Sequence, residues 1–251
     1  MHKIFTNTIF IGKKVIYQPQ CHSTNDIAAE MVSINKIFEG TVVLTDDQIS
    51  GRGQRGNSWE AEPGKNLTFS IILNPHFLDI SEQFFLNIII SLAIHDLLLQ
   101  YIGQGLTIKW PNDIFYHDNK LGGILIESSI KNNQLENVIV GIGLNVNQNK
   151  FSSEMATSLA IICNQKFDLR EILSLLLSHI EKRYFQLKKL EFNNVLADYL
   201  QKLYWINEKH IFKSNEIFEG EIKGVDKIGR LMIQTTTGVK YYNNKEVSFM
   251  Y

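Results

Sequence analysis

The spacing of apolar and polar positions divides the chain into two textures. Up to about residue 204 it alternates strand-like runs with helical patterns. Two short β-like runs, Ile9–Ile11 and Lys14–Gln18, come first. Ser23-Thr24-Asn25-Asp26 then precedes a periodic segment, Ile27–Ile34. A hydroxyl residue there, followed by an acid, predicts a capped helix start. Thr41–Thr45 (TVVLT) and Leu67–Leu73 read as strands. A long helix is predicted over Glu82–Tyr101, with Gly103 and Gly105 stopping it. Leu106–Trp110 reads as a strand ending at Pro111, because proline cannot donate in a ladder. Leu121–Ile130 and Val138–Val146, separated by Lys131-Asn132-Asn133, read as a hairpin or as neighbouring strands. Ala156–Cys163 is a short helix, Leu169–Leu187 an amphipathic one, and Phe192–Tyr204 another.

After Trp205 the runs shorten to Ile211–Phe212, Ile217–Val225, Leu231–Gln234, Val239–Tyr242 and Val247–Phe249, with turn residues between them. That predicts a small barrel-like module of about five strands, with the boundary near Leu203–Asn207. The most apolar stretch, Phe84–Leu99, is shorter than the ~20 residues of a membrane span and carries Asn87, His95 and Asp96. It is expected to be a buried helix, and no membrane partner is expected. The N-terminal MHKIFTNTIFIGKKV makes a poor secretory signal.

Composition narrows the function classes. The formal net charge is −1 over 251 residues, which disfavours bulk polyanion binding. Cys21 and Cys163 cannot build a disulfide framework or a four-ligand zinc site, so a reducing, cytoplasmic setting is expected. No nucleophile elbow, zinc-protease motif or C-x-x-C is present.

Four stretches carry candidate chemistry. Gly51-Arg52-Gly53-Gln54-Arg55-Gly56-Asn57-Ser58-Trp59 formally contains G-x-G-x-x-G, but no helix follows it, and the Walker ending is missing. It is either a glycine-permissive anion loop or a flexible surface loop. Lys109-Trp110-Pro111-Asn112-Asp113 places polar side chains at a strand end, which suits a ligand site or a plain turn. Trp110 reads as core. Lys120, in His117–Gly123, reads by itself as a solvent-facing hairpin lysine, although it could neutralise carboxylate and phosphate oxygens together. Gly141 and Gly143 share one strand face with Asn145 and Asn147. That face leaves room for a flat ligand or for another backbone.

In this order, the motifs Ser23-Thr24-Asn25, Gln48 with Gly51–Trp59, Lys109–Asp113, Lys120–Glu127 (KLGGILIE) and Gly141–Asn145 (GIGLN) resemble the biotin–protein ligases, also called biotin–[acetyl-CoA-carboxylase] ligases. The resemblance covers essentially the whole chain. It implies an α+β fold, with helices packed on a mixed sheet of the class II aminoacyl-tRNA-synthetase-like kind. A catalytic domain over 1–204 would be followed by an SH3-like β-barrel over 205–251. It implies ATP and biotin as substrates, Mg²⁺, and a biotin carboxyl carrier protein as partner. The order of events would be biotinyl-5′-AMP and pyrophosphate first, then transfer to a carrier lysine. The nearest alternative is a lipoate or octanoate ligase or transferase of similar fold.

By position, the resemblance places Ser23, Thr24, Asn25 and Gln48 on the biotin ring. Gly51, Arg52, Gly123, Gly141 and Gly143 also stand beside biotin, and Lys120 meets its carboxylate. Arg52, Arg55, Trp59, Lys109, Asn112, Asp113 and Asn145 would bind ATP, with Asp113 also facing the metal. Lys120, Arg52 and Arg55 would be catalytic, stabilising the meeting of two anions. Gln54 departs from the pattern, since many members carry Arg there. The 22 residues before Ser23 read as strands and leave no room for a helix-turn-helix, so no DNA partner is expected. Monomer and homodimer both stay open.

Overall fold

The computed structural model describes residues 6–34 and 37–251, with the backbone but not the side chain of Arg55. Residues 1–5 of the N-terminal stretch lie outside it. The larger unit runs β1 (Val15–Cys21), α1 (Thr24–Ser33), β2 (Val42–Gln48), β3 (Leu67–Leu73), α2 (Phe84–Leu98), β4 (Leu106–Lys109), β5 (Asp113–Tyr116), β6 (Asn119–Lys131), β7 (Gln134–Leu144), α3 (Leu159–Cys163), α4 (Leu169–Lys188) and α5 (Phe192–Leu200). The smaller unit holds β8 (Lys209–Lys213), β9 (Ile217–Val225), β10 (Leu231–Thr235), β11 (Gly238–Tyr242) and β12 (Ser248–Phe249).

The first seven strands form one sheet, β1-β2-β3-β7-β6-β5-β4, in which only β1 and β2 pair in parallel. β3 is buried along its whole length, as a central strand covered on both faces must be. α2 supplies much of the core. Its buried residues run almost all the way round, and it packs on α4, α5 and β4. By length and composition, Ile80–Leu98 could cross a membrane, but in this fold it is the central core helix. Arg183 of α4 ties the three helices together, donating to Asp96 at 2.7 Å and to Asp198 at 2.8 Å. The last five strands form an antiparallel sheet, β11-β10-β9-β8-β12. The α+β expectation, with its mixed sheet and small terminal β-module, holds.

Four local readings need correction. Ile9–Ile11 is a turn, not a strand. Its N–H groups donate to the Glu181 carboxylate, at 2.6 Å from Ile9, 2.8 Å from Phe10 and 2.9 Å from Ile11, rather than to a neighbouring strand. α1 starts after Ser23, but the Ser23 side chain makes no capping bond. α5 ends at Leu200, and the chain from Leu203 onward pairs instead. Finally, Asp113–Tyr116 is a strand that the sequence reading passed over.

The chain changes partner sheet within a few residues. Tyr204 N donates to Ile108 O of β4 at 2.9 Å, and Asn207 N donates to Ile222 O of β9 at 2.9 Å. Trp205 lies between these two pairings. Its indole stacks on His210 at 3.7 Å and packs 5.4 Å from Phe249.

Candidate active site

One cavity of about 600 Å³ opens between the two units. That volume suits a small-molecule site. It collects residues from α1, β2, the 51–59 loop, β4, β5, β6, β7 and the segment ending in β12.

At one end Ser23, Thr24, Asn25 and Gln48 line the cavity with polar, uncharged side chains, and the Arg52–Glu127 pair stands at their edge. Ser23, Thr24 and Asn25 sit at the start of α1 and are almost fully buried. Because Ser23 does not cap the helix, its hydroxyl is not committed there. Gln48 accepts from Thr24 N at 2.9 Å and so holds this turn. Ser70, fully buried on β3, lies 2.7 Å from Thr24 Oγ1 and 2.6 Å from Asn25 Oδ1. The Asn25 amide donates to Glu127 Oε2 at 2.6 Å. The donors and acceptors of this end are therefore held in a fixed arrangement, suited to a neutral polar ring.

The glycines of β7 turn out to serve the protein's own side chains. A Cβ on Gly141 would lie 2.4 Å from Asn25 Oδ1, and one on Gly143 would lie 2.3 Å from Trp59 Cε2. The flat group against Gly143 is the Trp59 indole. Gly51 starts the loop against its far end, where a Cβ would fall 2.3 Å from Trp59 O, and it does not line the cavity.

The other end carries charge. Lys120 Nζ meets Asp113 Oδ1 at 2.8 Å. A Cβ on Gly123 would press on both partners at 3.3 Å, so this glycine makes room for the pair. The register between β5 and β6 shifts at Ile114/Phe115. Such a bulge re-aims side chains, and here Lys120 and Gly123 both line the cavity, although three residues apart on one strand. Lys109 ends β4, and burial pulls its pKa down to about 8, with Asp113 opposing the shift and Lys120 adding to it. Asn112 is locked by its amide donating to Ile124 O. Trp110 is core as expected, with Nε1 donating to Gly229 O at 2.9 Å.

Arg52 reaches the cavity from the loop, but its guanidinium is held on Asp26 at 2.5 Å and on Glu127 at 3.3 Å. The Arg55 backbone belongs to a short 3-10 turn, Gln54–Gly56, and its side chain lies outside the described residues. Gln54 also lines the cavity and accepts from the Asn244 amide of the small unit. Asn145 does not line the cavity. It is buried, and its amide donates to Thr157 O at 3.0 Å.

Sequence reasoning missed Ser70, Glu127 and Asp26. Ser70 had one signal, a lone hydroxyl in an otherwise apolar strand, LTFSIIL, apart from Thr68. It also missed Asn244, Lys245, Val247, Ser248 and Phe249, which the small unit contributes to the cavity. Their turn-and-strand pattern carries no chemical signature.

A mixed sheet that displays a two-ended cavity, bordered by a small β-module, defines a small-ligand enzyme fold. The model of the Biotin/lipoate A/B protein ligase family matches residues 17–145, and the chain belongs to that family. The bifunctional ligase/repressor BirA of Bacillus subtilis is 31% identical over 245 residues, covering 93% of this chain and 73% of that protein. The biotin–[acetyl-CoA-carboxylase] ligase of Paracoccus denitrificans is 27% identical over 90% of this chain and 98% of its own length. Among solved structures, the biotin protein ligase from Aquifex aeolicus in complex with biotin and ATP aligns with a TM-score of 0.79 and 27% identity. That alignment covers 95% of this chain and 99% of that one.

Proposed function

We propose that the chain is an ATP-dependent biotin–protein ligase. It forms biotinyl-5′-AMP and pyrophosphate, then passes the biotinyl group to a lysine of a biotin carboxyl carrier domain. The observation that carries this reading is the convergence of widely separated motifs on one cavity with a neutral polar end and a charged end. Support also comes from relatives named as biotin ligases and from the similarity to a structure holding biotin and ATP.

The Ser23–Asn25 and Gln48 end takes the neutral ureido ring of biotin. Its carboxylate is then directed toward Lys120, where it meets the α-phosphate of ATP. Two anions approach there, so a fixed ammonium stabilises the developing charge without reorganising. Holding both substrates in one cavity supplies proximity. No protein nucleophile is needed.

For Mg²⁺ we propose Asp113, the one carboxylate among the described residues that lines the cavity, as the protein ligand. Among the described residues no group of three or more His, Cys, Asp or Glu could hold a metal. A single carboxylate suits an ion that arrives largely coordinated by the nucleotide phosphates, where Mg²⁺ takes one or two protein ligands. Arg52 adds a cation from the loop, and the family resemblance gives Arg55 the same role. We also propose that the two units divide at 204/205, supported by the change of pairing partner on either side of Trp205.

The test is biotin-dependent ATP–pyrophosphate exchange, followed by labelling of a purified carrier domain. Exchange driven by biotin but not by lipoate is expected. Exchange driven by lipoate alone would replace this reading with the lipoate one.

A further inference from the structure

Lys109 closes β4 at the mouth of the cavity. Three rings surround its ammonium. Nζ lies 4.7 Å from the centroid of Phe115, 4.9 Å from that of Phe249 and 4.9 Å from that of Tyr251, and it donates to the Tyr251 hydroxyl. Phe115 belongs to β5 of the large sheet. Phe249 and Tyr251 belong to the last segment of the small unit. One cation is therefore shared by ring faces from both units, and each face attracts it electrostatically.

The strand pairing of the segment it grips is short, and buried Val247 and the Phe249 ring also pin it to the small unit. β12 pairs with β8 through only Ser248–Lys213 and Phe249–Phe212, and Met250 N donates to Ile211 O at 3.1 Å. Yet Lys245, Val247, Ser248 and Phe249 line the cavity together with Lys109 and Asp113. Trp205 backs the segment, 5.4 Å from Phe249 and 5.5 Å from Tyr251. An apolar side chain would fill this aromatic surround without the desolvation of a charge. The ammonium therefore contributes something that volume alone does not.

We propose that Lys109 is a positioning residue whose cation–π clamp on Phe249 and Tyr251 sets the wall that the small unit gives the cavity, and thereby the affinity for the nucleotide. Assigning that wall to the nucleotide rests on the biotin–ATP reading; the clamp itself does not.

The experiment uses the full chain with Lys109→Met, Lys109→Arg, Phe249→Leu and the Met/Leu double variant. Hydrogen exchange of the 243–251 amides is measured beside adenylation kinetics. Lys109→Met is expected to speed exchange in that segment, with β9 and β10 unchanged. It raises KM for ATP by about tenfold, the scale of losing a desolvated cation–π contact, and leaves KM for biotin as it was. Arginine keeps the cation and stacks on rings, so Lys109→Arg restores most of both readouts. The double variant is expected to cost less than the sum of the two single effects, because the Lys109–Phe249 contact is counted in both.

A raised KM for ATP with wild-type exchange at 243–251 would mean that Lys109 touches the nucleotide directly, and the clamp would be wrong. Fully additive single effects would also overturn it. Tyr251→Leu replaces Phe249→Leu if the latter does not fold. If the wild-type chain performs no biotin-dependent adenylation, the functional reading fails, and the exchange measurement decides the clamp by itself.

Discussion

Lys120 shows how far a single residue can be read from its neighbours in sequence. In isolation it looks like a hairpin lysine in solvent. In the fold it lies 2.8 Å from Asp113, with Trp59 5.8 Å from its ammonium. Two facts hid this placement: β5 is only four residues long, and the bulge opposite it breaks the alternation of β6. The family motif, rather than the local pattern, put Lys120 in a ligand site. Lys120→Ala is expected to lower biotinyl-adenylate formation by about 10²–10³-fold while circular dichroism and thermal midpoint stay near wild type. Near-normal adenylation would remove Lys120 from the chemistry. The β7 glycines were legible as space but not as whose space. A Cβ at Gly143 falls on the Trp59 ring, a rigid group that must move as a whole. Gly143→Ala is therefore expected to shift Trp59 fluorescence and weaken substrate binding. An unchanged emission spectrum would show that the indole is not seated there in solution.

At the scale of elements, helices and long strands were legible because their periodicity is local. β3 matches its expected span, and α4 differs by one residue. The misread pieces are those whose backbone partners are remote, such as the 9–11 turn held by Glu181 of α4. The 51–59 loop is an intermediate case. Its glycines announced a special backbone, but its contacts, with Asp26, Glu127 and Asn244, could not be read from spacing. Gln54→Arg is expected to slow release of biotinyl-AMP in single-turnover experiments, by adding a guanidinium where the loop meets the cavity; an unchanged release rate would count against it. α2 offers a test of a different kind. Burial, with the positive charge of Lys202 adding, lowers the pKa of His95 below its ordinary value, so the fold holds the ring neutral. The unfolded chain takes up that proton as pH falls through about 6.5. The stability tied to the neutral ring is thus complete above that pH and is lost as pH falls toward the folded pKa. His95→Leu is expected to flatten the acid side of the urea-midpoint profile. A profile parallel to wild type would contradict this.

For the whole molecule, the sequence marked two textures, and the structure has two sheets. What the texture could not show is that the cavity takes a wall from each unit. Strand order and register belong to three dimensions, and the residues that meet here are up to 190 apart, as Gln54 and Asn244 are. Two of the cations that line the cavity are already paired with carboxylates. Lys120 carries Asp113 with it, and Arg52 carries Asp26 and Glu127. These two cations thus come with their own counterions. A bare cluster of cations would collect any passing phosphate. At Lys120 and Arg52 an anion must first displace a carboxylate already in place, so there a lone inorganic phosphate gains little. A ligand gains more when the same molecule, or one bound beside it, also fills the neutral end. Selectivity against simple anions is in this way built into the resting ion pairs, before any substrate arrives.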